Sequence, residues 1–112
     1  MFSKKEISIL RNQIPITTVI GDYLRLPSKM IDGYFRFLCP LCSEFQTSTN
    51  SKTNLARCFR CEQNFNPIDI TMIVKRCTFK EAVEELQDIK EKLDSQISNR
   101  VSSLLDSNKS RL

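Results

Sequence analysis

The sequence contains no histidine and no tryptophan, and its aromatic residues are seven phenylalanines and two tyrosines among 112 positions. So few large rings imply a small apolar core, and chains of this size commonly need a metal or disulfides to offset the entropy of ordering them. Without histidine, any metal site with nitrogen ligands from imidazole is excluded. No run approaches the roughly 20 apolar residues needed to cross a bilayer, and Met1-Phe-Ser-Lys-Lys-Glu6 lacks the apolar stretch of a secretory signal. The expectation is one intracellular, cytoplasmic domain with an appended helix and no membrane partner. In a reducing compartment, closely spaced cysteines are more often metal ligands or redox centres than structural disulfides.

What is present is positive charge, unevenly placed. The net charge is +4, yet the chain through Lys80 carries twelve Lys/Arg against six Asp/Glu, and the chain from Glu81 onward five against seven. A basic first part suggests a polyanion partner, and an acidic second part a protein or solvent. The alternative is a solvated surface of mixed charge.

Residues 1–13 are polar and basic with scattered Ile7, Ile9 and Leu10, which suits a short helix or a loosely docked arm. After Pro15, the spacing of Ile16, Val19, Ile20, Tyr23 and Leu24 predicts a helix over 16–24. Pro27 stops it, Asp32-Gly33 reads as a turn, and Tyr34-Phe-Arg-Phe-Leu38 as a strand with Phe35 and Phe37 on one face and Tyr34 and Arg36 on the other. The Ser/Thr/Asn-rich stretch 43–54 reads as a hairpin loop, and Leu55-Ala-Arg-Cys58 as the returning strand. Asn66-Pro67 opens a helix to about Val74, and the capping box Thr78-Phe-Lys-Glu81 opens a longer one. Phe79, Val83, Leu86, Leu93, Ile97 and Leu104 form its apolar stripe, which either seals the domain or grips a partner. Serines at 102, 103, 107 and 110 weaken its second half.

The strongest signal is Cys39-Pro-Leu-Cys42, fifteen intervening residues, then Cys58-Phe-Arg-Cys61. This two-pair spacing reads as a zinc site. Each pair can turn two thiolates inward, and two such knuckles complete a tetrahedron with no open position, so the ion is structural rather than catalytic. Zinc binding to small modules is worth about 10 to 16 kcal/mol, and chelation is expected to unfold residues 34–66. The alternatives are two redox-type disulfides or an iron centre. Against the first, a thioredoxin-like site has one such pair in a βαβ pattern, which is lacking here. Cys77 stands apart and is expected between helices as a small buried residue.

These features occur in an order that resembles the N-terminal zinc-binding domain of bacterial DNA primases. The resemblance covers about Ile14 to Ile89. It rests on Val19-Ile-Gly-Asp-Tyr-Leu-Arg-Leu26, the aromatic strand entering Leu38-Cys-Pro-Leu-Cys42, then Cys58-Phe-Arg-Cys61, Ile68-Asp-Ile70 and Phe79-Lys-Glu-Ala-Val-Glu-Glu-Leu86. Where that family usually has histidine as second ligand, this chain has Cys42. The resemblance implies an α+β fold, a zinc ribbon with a small antiparallel sheet flanked by helices over 14–89, an arm over 1–13 and a helical tail over 90–112. It also implies contact with single-stranded DNA template in support of a separate catalytic primase or polymerase. The carboxylate cluster that polymerisation needs is not apparent in these 112 residues, so the expectation is a non-catalytic accessory with no small-molecule substrate, docking its enzyme through residues 79–105.

Single strands are held by basic grooves carrying rings on which bases stack. Tyr34, Arg36, Lys52, Arg57, Phe59 and Arg60 are the candidates. For Phe59 the alternative is packing over the zinc site, and for the arginines a solvated face. Two other functions stay open: a zinc-stabilised protein-interaction adaptor, and a sequence-specific regulator binding duplex DNA.

Overall fold

The computed structural model describes residues 2–110. Helix α1 spans Lys4–Gln13, a π-helical turn Thr18–Tyr23, strands β1 Ser28–Ile31, β2 Tyr34–Phe37, β3 Thr47–Asn50, β4 Leu55–Cys58 and β5 Gln63–Phe65, and helices α2 Pro67–Lys75 and α3 Phe79–Ser110. Both sheets are antiparallel, one of two strands (β1-β2) and one of three in the order β3-β4-β5. This is an α+β zinc-ribbon architecture. Ile97 and Leu104, the outer part of the expected α3 stripe, fall outside the residues whose side chains are described.

Three details differ from the sequence reading. The β-branched run Ile16-Thr-Thr-Val-Ile20 starts as a regular helical turn and from Thr18 to Tyr23 widens into a π turn, in which the Leu24 N–H donates to the Val19 carbonyl at 2.8 Å. β-Branched side chains crowd a regular helix, and the wider turn buries Val19 and Ile20 together. The second difference is in 43–54, where Thr47–Asn50 is a strand rather than loop. The third is the pairing: β2 pairs with β1, while β4 lies between β3 and β5. Asp32 and Gly33 both have positive φ (53° and 82°), the geometry of a two-residue type I′ turn, which closes β1 on β2.

Thr47 joins the two sheets. Its Oγ1 accepts the Phe37 N–H at 2.9 Å and donates to the Phe37 carbonyl at 2.7 Å, so one side chain takes the place of a backbone partner. The Arg36 guanidinium also donates to the Thr47 carbonyl. Thr47 and Phe37 are fully buried, where an unpaired backbone group would be costly.

The helices follow their caps. Asn66 accepts the Asp69 N–H at 2.7 Å while Asp69 accepts the Asn66 N–H at 3.2 Å, and Pro67 occupies the first turn. Arg76 ends α2 in the left-handed conformation. Thr78 and Glu81 form the second reciprocal box, at 3.1 and 3.0 Å. Leu10 of α1, Ile14, Ile16, Val19, Ile20, Ile68, Ile70, Val83 and Leu86 share one core with Phe37, Ala56 and Phe65 of the strands. Tyr23 links the π turn to both C-terminal helices, donating to Glu85 at 2.7 Å and accepting from Lys75 at 3.0 Å.

Candidate metal centre and basic face

Each cysteine pair sits where a strand ends. Cys39 and Cys42 follow β2; Cys58 closes β4, and Cys61 precedes β5. The two knuckles share a local geometry. Within each, a backbone N–H points at the first thiol, from Leu41 to Cys39 Sγ and from Cys61 to Cys58 Sγ, both at 3.4 Å. Immediately after each, a non-glycine residue turns the chain with positive φ, Ser43 at 60° and Glu62 at 55°. The antiparallel pairing of β3 with β4 sets Thr47 opposite Cys58, and the Cys39 N–H donates to the Glu44 carbonyl at 3.0 Å. The knuckles are thereby brought face to face.

All four sulfurs lie within 4.8 Å of one another, with Cys39 to Cys61 at 3.9 Å and Cys42 to Cys58 at 3.6 Å. A tetrahedron with metal–sulfur bonds of 2.3 Å has edges of about 3.8 Å. The cluster therefore fits one ion with four thiolates. Cys39 and Cys58 are buried, and Cys42 and Cys61 partly so.

Two of the metal-free thiols, Cys58 and Cys61, are held far apart in acidity. Burial raises Cys58, but the Cys61 N–H and hydrogen bonds from the other three thiols outweigh it and bring Cys58 down to about 7. Burial, then its place as donor to the same neighbours, pushes Cys61 up to about 12. Burial also raises Cys39. Four thiolates without a cation repel one another, so the site keeps protons until a metal displaces them. Cys77 lies between α2 and α3, partly buried, its thiol 3.9 Å from the Thr71 carbonyl, and burial followed by the charges of Glu85 and Glu81 raises it.

Two of the candidate contact residues, Arg36 and Phe59, meet the segment Phe45-Gln46-Thr47. The Lys29 ammonium lies 4.1 Å from the Phe45 ring centroid, the Phe59 N–H donates to the Gln46 carbonyl at 2.8 Å, and Arg36 donates to the Thr47 carbonyl. Arg36 also lies 5.6 Å from the ring of Tyr34, and Arg57 5.7 Å from that of Phe59. Tyr34 is 64% exposed and Phe59 52%, so both rings keep surface open to solvent.

The other two candidates are less favourably placed. Arg60 pairs with Glu44 at 3.3 Å across the two knuckles, with both side chains about half exposed. Lys52 sits in the β3–β4 turn, at the far end of that ladder from Cys58, and its N–H donates to Asn50 Oδ1 at 2.9 Å.

Lys29 and Phe45 were missed from sequence. Lys29 pairs directly with Arg36 across β1 and β2, which puts Lys29, Ile31, Tyr34 and Arg36 on one face of the hairpin. Like charges directly opposite destabilise a ladder. The signal that could have found Lys29 was Asp32-Gly33 between two β-prone runs, which is a hairpin signature rather than a turn alone.

Comparison with known proteins bears on the same features. A family model described as CHC2 zinc finger, the zinc ribbon of DnaG, matches residues 2–103. A curated DNA primase from Mycobacterium leprae (strain TN) is 29% identical over 86 residues, which are 75% of this chain and 13% of that relative. The chain thus spans about an eighth of the length of the relative it matches. Two cysteine knuckles facing one tetrahedral site, the ribbon strands that carry them and this match over nearly the whole chain agree, and the protein belongs to the CHC2 zinc-finger family of DnaG-type primases, with zinc as its ion.

Proposed function

We propose that this chain is a non-catalytic zinc ribbon that binds single-stranded DNA template through one basic, aromatic face and assists a separate primase or polymerase in starting primers. The observation that carries the reading is the Lys29–Arg36 pair. Two cations face each other across an exposed hairpin, each beside an aromatic ring, Phe45 and Tyr34. A strand of phosphates relieves their repulsion, and the rings offer bases a stacking surface worth about 1–3 kcal/mol each. Arg57 and Phe59 extend the same arrangement onto the second knuckle.

Zinc has no step in this chemistry. A closed set of four thiolates offers no position to water or substrate. The ion holds the knuckles together, and the knuckles hold the segment 45–47 against β2 and Phe59. Arg36 serves two purposes on this reading: one guanidinium nitrogen holds Thr47, and the remaining donors face phosphate.

The experiment is titration of the zinc-loaded chain into a labelled single-stranded oligonucleotide, beside a duplex of the same sequence. Preference for the single strand supports the reading; footprint-like selectivity for a duplex supports the regulator instead. The accessory role is tested by isolating what co-purifies with the tagged chain and asking whether adding the chain lets that partner begin primers without a pre-formed end.

A further inference from the structure

On another part of the three-stranded sheet lies a second surface of opposite charge. Strand β5 is the edge of that sheet, pairing only with β4. Among the described residues, Gln63, Asn64 and Phe65 make no backbone hydrogen bond beyond that ladder. Between β5 and α2 runs an open groove of about 490 Å³ lined by Glu62, Gln63, Asn64, Phe65, Asp69, Met72 and Ile73. Met72 and Ile73, both partly exposed, give it an apolar part. Its two ionisable groups are both carboxylates, in a chain whose net charge is +4.

Neither carboxylate is neutralised. Glu62 and Asp69 make no ion pair among the described residues. Asp69 accepts the Asn66 N–H through Oδ2 alone, and Glu62 is fixed at the groove mouth by the left-handed turn that ends the second knuckle. A phosphate backbone entering here would meet two negative charges. A strand edge, by contrast, adds an extended peptide through main-chain hydrogen bonds, with alternate side chains reading the neighbouring surface.

We infer that the β5–α2 groove is a docking site for an extended segment of a partner protein, one that places an apolar side chain on Met72 and Ile73 and a lysine or arginine between Glu62 and Asp69. The groove meets the basic face at one residue, Asn64, whose Oδ1 accepts from the Arg57 guanidinium at 3.0 Å, and carries its carboxylates on Glu62 and Asp69. It gives the protein one surface for a polyanion and another for a polycation, so template and protein partner can be held together. It also moves partner docking off α3 alone and onto the ribbon.

The test uses the full zinc-loaded chain, isotopically labelled, and two capped hexapeptides: one alternates lysine and valine, the other glutamate and valine. An oligothymidylate is added in a third titration. Amide shifts at Glu62–Phe65 and along the Asp69–Ile73 face with the lysine peptide, and their absence with the glutamate peptide, are expected. Glu62→Gln and Asp69→Asn each keep a side-chain acceptor and the capping geometry, and each is expected to weaken the lysine peptide by about two- to fivefold. No groove shifts with the lysine peptide, equal shifts with both peptides, or oligothymidylate shifts along the Asp69–Ile73 face would each overturn the inference; an oligothymidylate shift at Asn64 alone follows from its bond to Arg57. None of these outcomes touches the single-strand reading, which is measured on Lys29 and Arg57.

Discussion

Asn54 Oδ1 accepts the Ile16 N–H at 2.8 Å across 38 residues of chain. The same side chain donates through Nδ2 to the Arg11 and Ile14 carbonyls at 2.6 and 2.7 Å. Buried to 6% exposure, it fastens the end of α1 and the entry to the π turn onto the β3–β4 hairpin. A loop residue at the tip of the ribbon therefore holds the helical half of the core in place. Asn54→Ala removes the partner of two buried backbone groups, the Ile16 N–H and the Ile14 carbonyl, each worth about 1–3 kcal/mol, and of the part-buried Arg11 carbonyl. It should cost at least about 2 kcal/mol of unfolding free energy in urea titrations. A loss under about 0.5 kcal/mol, ordinary for a surface change, would contradict this role.

Thr47→Val keeps the shape and the β-branch and removes only the hydroxyl. The Phe37 N–H and carbonyl are then left unpaired between the two sheets. The expected loss is about 1–3 kcal/mol, with Thr47→Ser retaining most of the stability. Equal losses for Val and Ser would show that packing of the methyl, not the hydroxyl, joins the sheets.

Among the described residues, six non-glycine residues occupy left-handed backbone, in a chain with only two glycines. Arg76, the exposed end of α2 at φ 50°, is the cleanest to relieve, since its side chain makes no described hydrogen bond or ion pair. Arg76→Gly should raise stability by about 1 kcal/mol, the cost of left-handed backbone for a residue with a Cβ. Thermal melts of the two chains check it, and a lowered midpoint would mean that Arg76 makes a contact worth more than the strain.

Much of this was legible in the sequence, and the illegible parts share a cause. The cysteine spacing carried the metal site, and both capping boxes marked their helices, because in each case the physics is local and spans three or four residues. Thr47 and Asn54 were read as loop because polar composition is the same whether a side chain faces water or a buried carbonyl. Only the arrival of Phe37 and Ile16, remote in sequence, makes them interior. The π turn was read as a regular helix because Ile16, Val19 and Ile20 keep helical spacing either way. Lys29 carries no signal of its own in the sequence, because its meaning depends on Arg36 opposite and the Phe45 ring beside it.

Zinc binding should strengthen as pH rises. Thiolates bind the ion, and in the metal-free chain Cys61 is pushed up to about 12 while Cys58 is brought down to about 7. Protons therefore compete with the metal, and lowering pH through the Cys58 value removes the most available thiolate. Competition against a chromophoric chelator, at about one pH unit on either side of neutrality, reads the effect, and each displaced proton steepens it. Chelation at the higher pH should abolish the strand signal of 34–66. An affinity independent of pH would argue against thiolate ligation.

The most direct test of the central claim is the salt dependence of binding to a single-stranded oligonucleotide, read by fluorescence anisotropy from about 50 mM salt upward. Log affinity should fall linearly with log salt, and Lys29→Ala and Arg57→Ala should each weaken binding and lessen the slope by roughly one phosphate contact. Lys52→Ala, at the far end of the hairpin, should change it least. No binding at the lowest salt, or slopes unchanged by Lys29→Ala and Arg57→Ala, would contradict it.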